Sequence, residues 1–556
     1  MRPWFEKSPG LLEEELEALR TDGYSFTQDA QARADGRIVL HIEYAIDSEQ
    51  HDLTVGFPDN YPYFPVEVYA PTFPSGPHKD PYTGLLCTLK DPLKTWSTQE
   101  TLASFLATQV KKVFTANKPD KAQASEEGLE ANEAAQATGY FPYLTSTVVF
   151  TGSWTIPAEH RFGKLVIGLE AGNDPNTALR GAVLEVRDAA GNTIAKMDEL
   201  LAKRYTKKIS GRWVRLTSPP AKASGNGIFE EARKVWPAIA QPCYKGAPDV
   251  VGLLFPEETQ PKKYEDNWVF VVRVKKGADT NGYFARADRF SEESYQARVP
   301  RLSPLAGKKV LIVGLGAIGS SCAWQLARAG VGTLHLLDYD HVQLGNLPRW
   351  QLGLGAVGLS KADALGRYLA YSYPFVGILG FHHRLGMFDD CKVLTQAMEG
   401  VDLILDATAE KCVSNFLSDL AKERGIPYVW ATGTPGSYGG AVGRVVPQKT
   451  QGCWKCYQHH LYDENFHNPP HEDIPEIQPV GCFHPTFTGT GFDMDHVSLA
   501  AVRLVVSTLC SGQDGGYPDF DWDVGVVDLW DEKNTPIEPC WTTYPLTRHP
   551  NCKAHE

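Results

Sequence analysis

The sequence predicts a multidomain α/β protein whose carboxyl-terminal half is a doubly wound parallel sheet. Three observations carry this reading. At 556 residues the chain is too long for one hydrophobic core, since single cores stop growing beyond roughly 250–300 residues. From about residue 296 onward, apolar strand-like runs alternate with helical patterns, the order expected of strands joined by crossover helices. One such run, KKVLIVGLGAIGSS from Lys308, ends in Gly-x-Gly-x-x-Gly, which reads as a buried parallel strand, a tight turn and a helix start.

The elements follow in order. Between Pro9 and Arg20, Leu11, Leu12, Leu16 and Leu19 recur at helical spacing, and GRIVLHIEYAI and HDLTVGFP alternate as strands do. This predicts an α+β domain over residues 1–120. The stretch DKAQASEEGLEANEAAQATG lacks a clear apolar face and is read as a linker at 121–140. GKLVIGLEA, GAVLEVRDAAG, VVGLLFP and NWVFVVRVKKG are strand-like runs of a middle mixed α/β domain at 141–295, with no catalytic spacing. Residues 296–556 form the final domain.

Composition limits the partners. The net charge of -13 is spread along the chain without a basic stripe, which argues against direct nucleic-acid binding. The amino terminus MRPWFEKSPGLLEEELEALR has no signal-peptide core, and no window approaches ~18 uninterrupted apolar residues. A cytoplasmic protein with no membrane partner is expected. Eleven scattered cysteines favour metal or thiolate chemistry over a disulfide framework.

The glycine turn identifies a Rossmann-like nucleotide site, because free N–H groups at a helix start favour phosphate. NAD, FAD and ATP all fit Gly314, Gly316 and Gly319, with Asp338 closing the next strand, TLHLLDYD, where it can take a ribose hydroxyl. The following YDHVQLGNLPRWQLGLGAVGLSKADAL adds Asp340, Asn346, Arg349 and Lys361. Adenylyl transfer to a carboxylate calls for such a cluster, because charge accumulating on the α-phosphate and pyrophosphate must be met by cations, donors and usually Mg²⁺.

On these residues, with Gly358 before Lys361, the chain from about Arg298 resembles the ThiF/MoeB-like adenylating domain of ubiquitin-activating enzymes and sulfur-carrier adenylyltransferases. The resemblance implies ATP and Mg²⁺ as cofactors, Asp338 on ribose, Arg349 and Lys361 on phosphates, and Arg298 or Arg301 reaching a neighbouring subunit's site in a homodimer. In LILDATAEKC, Asp406 matches the family's first acid of this segment and Ala409 replaces the second, leaving Glu410 as a further oxygen ligand for Mg²⁺.

Two kinds of cysteine follow. Cys453 and Cys456 in GCWKCYQHH, with Cys552 and His555 in HPNCKAHE, form two pairs able to close a structural tetrahedral zinc site. The family has a four-cysteine knuckle at these two places, so Zn²⁺ is expected, with His555 replacing the last cysteine. Cys482 lies in a Gly/Pro/Thr-rich loop with His484 two residues on. Thioester-forming members of the family place their acceptor cysteine there, so the resemblance assigns Cys482 as the nucleophile.

The amino-terminal VGFPDNYPYFPVEVYAPTF and GLLCTLKDPLKTWSTQETLASFLATQV are similar to the core of ubiquitin-conjugating enzymes. Matching features are Phe57-Pro58, Tyr61-Pro62, Pro65, Gly84, Cys87 and Trp96. The family's His-Pro-Asn is missing from SGPHKDPYTGLLC, where His78 remains and Lys79 or Asp80 is left to substitute for the oxyanion donor. Together the two resemblances look like the bacterial conjugating-activating fusion enzymes of ubiquitin-like systems, including those of CBASS antiphage defence. They imply adenylation of the carboxyl terminus of a ubiquitin-like or cognate protein, a thioester on Cys482, transfer to Cys87 and conjugation to a protein target. The middle region is then expected to be a degenerate adenylation-like scaffold. Two other readings remain open at this point: a sulfur-carrier adenylyltransferase with a non-catalytic docking domain, and a nucleotide-gated binding protein.

Overall fold

The leucines at helical spacing near the amino terminus have a core to face. In the computed structural model, Leu12, Leu16 and Leu19 of the helix Pro9–Thr21 are buried against a four-stranded sheet. That sheet is an antiparallel meander of β1 (Ser25–Gln28), β2 (Ile38–Ile46), β3 (Glu49–Phe57) and β4 (Glu67–Tyr69), in that order. Alternate β2 residues Ile38, Leu40, Ile42, Tyr44 and Ile46 point inward, the period-two pattern of a sheet wet on one face. Leu102, Phe105, Val110 and Phe114 complete this core from the helical segment after the meander.

The structure describes residues 3–74, 76, 78–88, 96–117, 137–151, 155–197, 199–244, 246–260, 263–290, 292–471 and 488–555. They divide into two units, Met1–Phe290 and Ser291–Glu556. Among the described residues, no helix is long and apolar enough to cross a membrane.

The first unit also holds an eight-stranded sheet. Its strands are β5 (Tyr143–Thr151), β6 (Phe162–Leu169), β7 (Arg180–Arg187), β8 (Thr193–Lys196), β9 (Lys207–Arg215), β10 (Asp249–Gln260), β11 (Lys263–Lys276) and β12 (Asp279–Phe290), ordered β5-β12-β11-β10-β9-β6-β7-β8. Among the described residues, parallel pairing is confined to β9 with β10 and to β5 with β12 and β7. The sheet is therefore mainly antiparallel.

The second unit is built on β13 (Lys309–Val313), β14 (Thr333–Asp338), β15 (Gly377–His382), β16 (Leu403–Asp406), β17 (Tyr428–Gly433), β18 (Gly439–Val445), β19 (Val524–Trp530) and β20 (Pro536–Tyr544). Their order is β15-β14-β13-β16-β17-β18-β19-β20. The first five strands are parallel and the last three pair antiparallel. Val310 and Ile312 face one core with residues of the helices Ala317–Arg328, Lys361–Ser372 and Gly491–Cys510, while Leu311 and Val313 face another with residues of Lys411–Arg424 and Trp454–Tyr462. A strand covered on both faces must be apolar throughout, which is why KVLIV does not alternate. The strand order reverses between β13 and β16, and ligands bind outside the carboxyl ends of strands at such a switch point.

Candidate functional site

The glycine turn lies at that switch point. Gly314 has φ +82°, and a Cβ there would sit 2.9 Å from the Ala407 backbone. A Cβ on Gly319 would sit 1.8 Å from the Gly314 carbonyl oxygen. These two glycines let the turn and the following helix close on the sheet. Gly316 stands immediately before the helix Ala317–Arg328, and the space its side chain would occupy is open. The first-turn N–H groups of that helix form an anion-binding end.

Asp338, at the end of β14, is buried. Its Oδ2 accepts from the Leu315 N–H at 2.6 Å and its Oδ1 from the Asp340 N–H at 2.7 Å. Its carboxylate thus fixes the turn, and each oxygen keeps acceptor capacity for a ligand hydroxyl.

Asp340 and Lys361 meet through a short ladder. The Val342 N–H donates to the Leu359 carbonyl, the Gly358 N–H to the Val342 carbonyl and the Lys361 N–H to the Asp340 carbonyl. Ser360 caps the helix Lys361–Ser372 by accepting from the Asp363 N–H, so Lys361 is its first residue. The Lys361 ammonium, 9% exposed, donates to Asp340 Oδ2 at 2.6 Å. A buried cation held by a partly exposed carboxylate can exchange that partner for phosphate oxygens.

Asn346 and Arg349 lie on the loop this ladder closes. Asn346 Oδ1 accepts from the Gln343 N–H, and the Gln343 side chain accepts from the Asn346 N–H in return, which fixes the loop's short helical turn. The neighbouring Trp350 is buried, and its indole N–H donates to the Leu315 carbonyl at 2.7 Å. That bond ties the loop to the glycine turn one residue from Arg349. Burial pushes the Arg349 guanidinium below its ordinary pKa, the expected effect on a desolvated cation.

Asp406, at the end of β16, is 1% exposed. Its Oδ1 accepts from the Thr408 N–H and hydroxyl and its Oδ2 from the Tyr428 hydroxyl. These bonds hold the strand end. Ala409 follows at φ +56°, and Glu410 is exposed. Burial, then the fields of the Glu410, Asp340 and Asp338 carboxylates, raise the Tyr339 phenol, with Arg384 opposing. Arg298 and Arg301 are exposed on the segment leading into β13.

Cys482 and His484 lie outside the described residues. The flanking residues are placed: the Thr434 hydroxyl donates to the Pro470 carbonyl at 2.8 Å and the Gly436 N–H to the Thr488 carbonyl at 3.0 Å. Both flanks meet the turn after β17.

Cys453, Cys456, Cys552 and His555 converge, their ligand atoms all within 4.8 Å of one another. The Sγ of Cys453 lies 3.8 Å from that of Cys456 and 3.7 Å from that of Cys552, and Cys456 Sγ is 3.2 Å from His555 Nε2. A zinc tetrahedron with Zn–S of about 2.3 Å has S–S edges of about 3.8 Å, so the donor set fits Zn²⁺. The His549 N–H donates to Cys456 Sγ at 3.3 Å, and His549 Nε2 lies 2.9 Å from Asp463 Oδ2, an outer set of bonds that orients the cluster.

In the first unit, Cys87 is exposed, and its N–H donates to the His78 carbonyl at 2.9 Å. Trp96 donates its indole N–H to the Pro62 carbonyl and packs edge-on against Phe105, with ring centres 5.5 Å apart. The Lys79 ammonium donates to the Pro71 and Phe73 carbonyls, and Asp80 accepts from the Tyr82 N–H and the Thr83 hydroxyl. Both candidate substitutes for an oxyanion donor are engaged in shaping the loop. Reading the sequence missed Trp350 and Tyr428; the only local signal was the position of Trp350 beside Arg349.

Comparison with known proteins agrees with this geometry. Residues 293–509 match the ThiF family. Protein y4oA of Sinorhizobium fredii is 30% identical over 99% of this chain and 97% of its own length. The molybdopterin-synthase adenylyltransferase of Salmonella typhimurium is 33% identical over 29% of this chain and 62% of its own. The ATP-dependent ubiquitin transferase-like protein Cap2 of Enterobacter hormaechei is 27% identical over 40% of this chain and 36% of its own.

Proposed function

The chain belongs to the family of Sinorhizobium fredii protein y4oA and carries a ThiF-family adenylyltransferase domain related to ubiquitin-like activating enzymes, and on that premise we propose that it activates a protein carboxyl terminus and passes it along two cysteines. The observation that carries the proposal is the set of groups around the glycine turn: Asp338 on Leu315, and Lys361 on Asp340.

In this reading a carboxylate oxygen of a ubiquitin-like or cognate protein attacks the α-phosphorus of ATP, and pyrophosphate leaves. Asp338 binds ribose, the helix start after Gly316 and the cations of Arg349 and Lys361 take phosphate charge, and Asp340 releases Lys361 as phosphate arrives. Asp340 and Glu410 are the residues that would hold Mg²⁺, which supplies further phosphate charge neutralisation; Asp406 positions the strand end beside them. The Cys482 thiolate then attacks the acyl carbon and AMP leaves. Thiol exchange moves the acyl group to Cys87, whose exposure suits attack by a nucleophile on a target protein. Cys453, Cys456, Cys552 and His555 hold a structural Zn²⁺. A homodimer with Arg298 or Arg301 reaching the partner's site, in a cytoplasmic antiphage pathway, completes the proposal.

A second reading is favoured by the engagement of Lys79 and Asp80 within their loop: a sulfur-carrier adenylyltransferase whose first unit docks partners without forming an adduct. The test is pyrophosphate exchange plus non-reducing electrophoresis with mass spectrometry, using a ubiquitin-like protein, where one is encoded beside the gene, or otherwise a candidate acyl-donor protein. Lys361→Ala is expected to abolish exchange. Cys482→Ala is expected to abolish the reducible adducts, and Cys87→Ala only the last transfer. Normal conjugation by Cys87→Ala would sink the relay, and exchange without any adduct would select the second reading.

A further inference from the structure

The eight-stranded sheet of the first unit carries a feature that adenylation does not use. Arg187, Lys164 and Arg212 stand directly opposite one another across β7, β6 and β9. Side chains directly opposed on neighbouring strands share one face, and like charges there destabilise the pairing. Such a row favours an anion alongside it.

The protein's own anions cover part of that charge. Arg187 pairs with Glu185. Asp249, 3% exposed, accepts from Arg212 at 2.9 Å and from Arg273 at 2.8 Å, so two guanidinium groups share one carboxylate and one positive charge remains. Among the described residues, the side chains of Lys164, Lys208 and Lys275 have no hydrogen-bond or ion-pair partner. On β9, Lys208 lies four residues before Arg212 and on the same face, as Lys275 does two residues after Arg273 on β11.

Lys164, Lys208, Arg212 and Lys275 border a cleft of about 890 Å³ that Lys207, Asp174 and the Trp236 ring also line, within the size range of small-molecule sites. Trp236 is stacked on Phe162, ring centres 4.9 Å apart, so its plane is fixed. In a chain of net charge -13, a cleft with this excess of cations is a local inversion of sign. We propose that it binds a small polyphosphate-bearing anion of nucleotide size, the phosphates bridging Lys164, Lys208 and Arg212. The site lies entirely in the first unit and is independent of the adenylation reading.

The test is calorimetric titration of the full chain with inorganic tripolyphosphate and with ADP, in the wild type, in Lys361→Ala and in Lys164→Glu/Lys208→Glu. Lys361→Ala, which disables the other anion site, is expected to retain tripolyphosphate binding. The double charge reversal is expected to weaken it ten-fold or more, and Lys164→Gln/Lys208→Gln by less. Both lysines are exposed, and circular dichroism checks each fold. In Lys361→Ala, tighter binding of ADP than of tripolyphosphate identifies a nucleotide, and equal or weaker binding identifies free polyphosphate. Binding that disappears with Lys361→Ala, survives the charge reversal, or is absent while a glutamate-rich peptide binds overturns the proposal.

Discussion

Leu315 is held from both sides: its N–H donates to Asp338 at 2.6 Å, and its carbonyl accepts the Trp350 indole N–H at 2.7 Å. The two peptide units that flank Leu315 in the glycine turn are thereby clamped between the end of β14 and the loop that carries Arg349. Replacing Trp350 by Phe keeps most of the buried ring but leaves the Leu315 carbonyl without this donor, at about 1–3 kcal/mol for an unsatisfied buried group. Pyrophosphate exchange by Trp350→Phe is expected to fall about ten-fold in kcat/KM, since 1.4 kcal/mol is a factor of ten. Unchanged exchange would show that the clamp does not position the phosphate-binding residues.

The two ends of the turn respond differently to a methyl group. Gly319→Ala places its Cβ 1.8 Å from the Gly314 carbonyl oxygen, a backbone atom that cannot step aside, whereas Gly316→Ala meets open space. Gly319→Ala is expected to cost about 3 kcal/mol or more, at the large end of single-residue effects. Gly316→Ala is expected to fold normally and weaken ATP binding. Urea denaturation and calorimetric ATP titration of the two variants separate these outcomes.

For the cysteine–histidine cluster, the expected zinc content is one per chain, measured by elemental analysis of the purified protein. Cys456→Ser should lose the metal and lower the melting temperature, because a structural metal contributes its binding free energy to folding. His555→Cys should retain the metal, since thiolate and imidazole both suit zinc. Full metal content in Cys456→Ser would refute the assignment.

Glu15 gives the amino-terminal core a pH dependence. Burial raises its pKa above the usual 4.5, against the lowering effects of hydrogen bonds from Tyr61 and the Leu102 N–H. With the folded pKa above the unfolded one, the folded state binds the extra proton, so this contribution is fully present below the unfolded value and is lost as pH rises through the folded value. The stability of wild type relative to Glu15→Gln is therefore expected to decline from about pH 4.5 upward, read from urea midpoints along a pH series. A flat difference would show that Glu15 does not titrate in this window.

What could be read in the sequence was local. The strand KVLIV, the glycines after it, Asp338 at the next strand end and the Gly358–Lys361 helix start each lie within a few residues of a recognisable signal, and the structure brings them together. The four metal-ligand candidates were legible because each pair sits on its own short turn, although 99 positions separate Cys453 from Cys552. The partners that set the site were hidden. Trp350 donates to a carbonyl 35 positions away and Tyr428 to a carboxylate 22 positions away, and neither spacing follows from periodicity. The strand order of the middle sheet was equally opaque, because β5 pairs with β12, the last of its strands in sequence, and no local signal marks so distant a partner.

The ladder between Val342 and the Gly358–Leu359 pair has a dynamic consequence. It closes a loop at its base, so Asn346 and Arg349 ride on a segment that opens by breaking the bonds at its neck together with the Trp350–Leu315 bond, while the helix and strands it joins stay intact. Such a segment is a cooperative unit of local unfolding. In native-state hydrogen exchange, the amides of Val342, Gly358 and Leu359 should share one opening free energy, smaller than that of the β13 amides. Nucleotide bound to Arg349 would slow all three together.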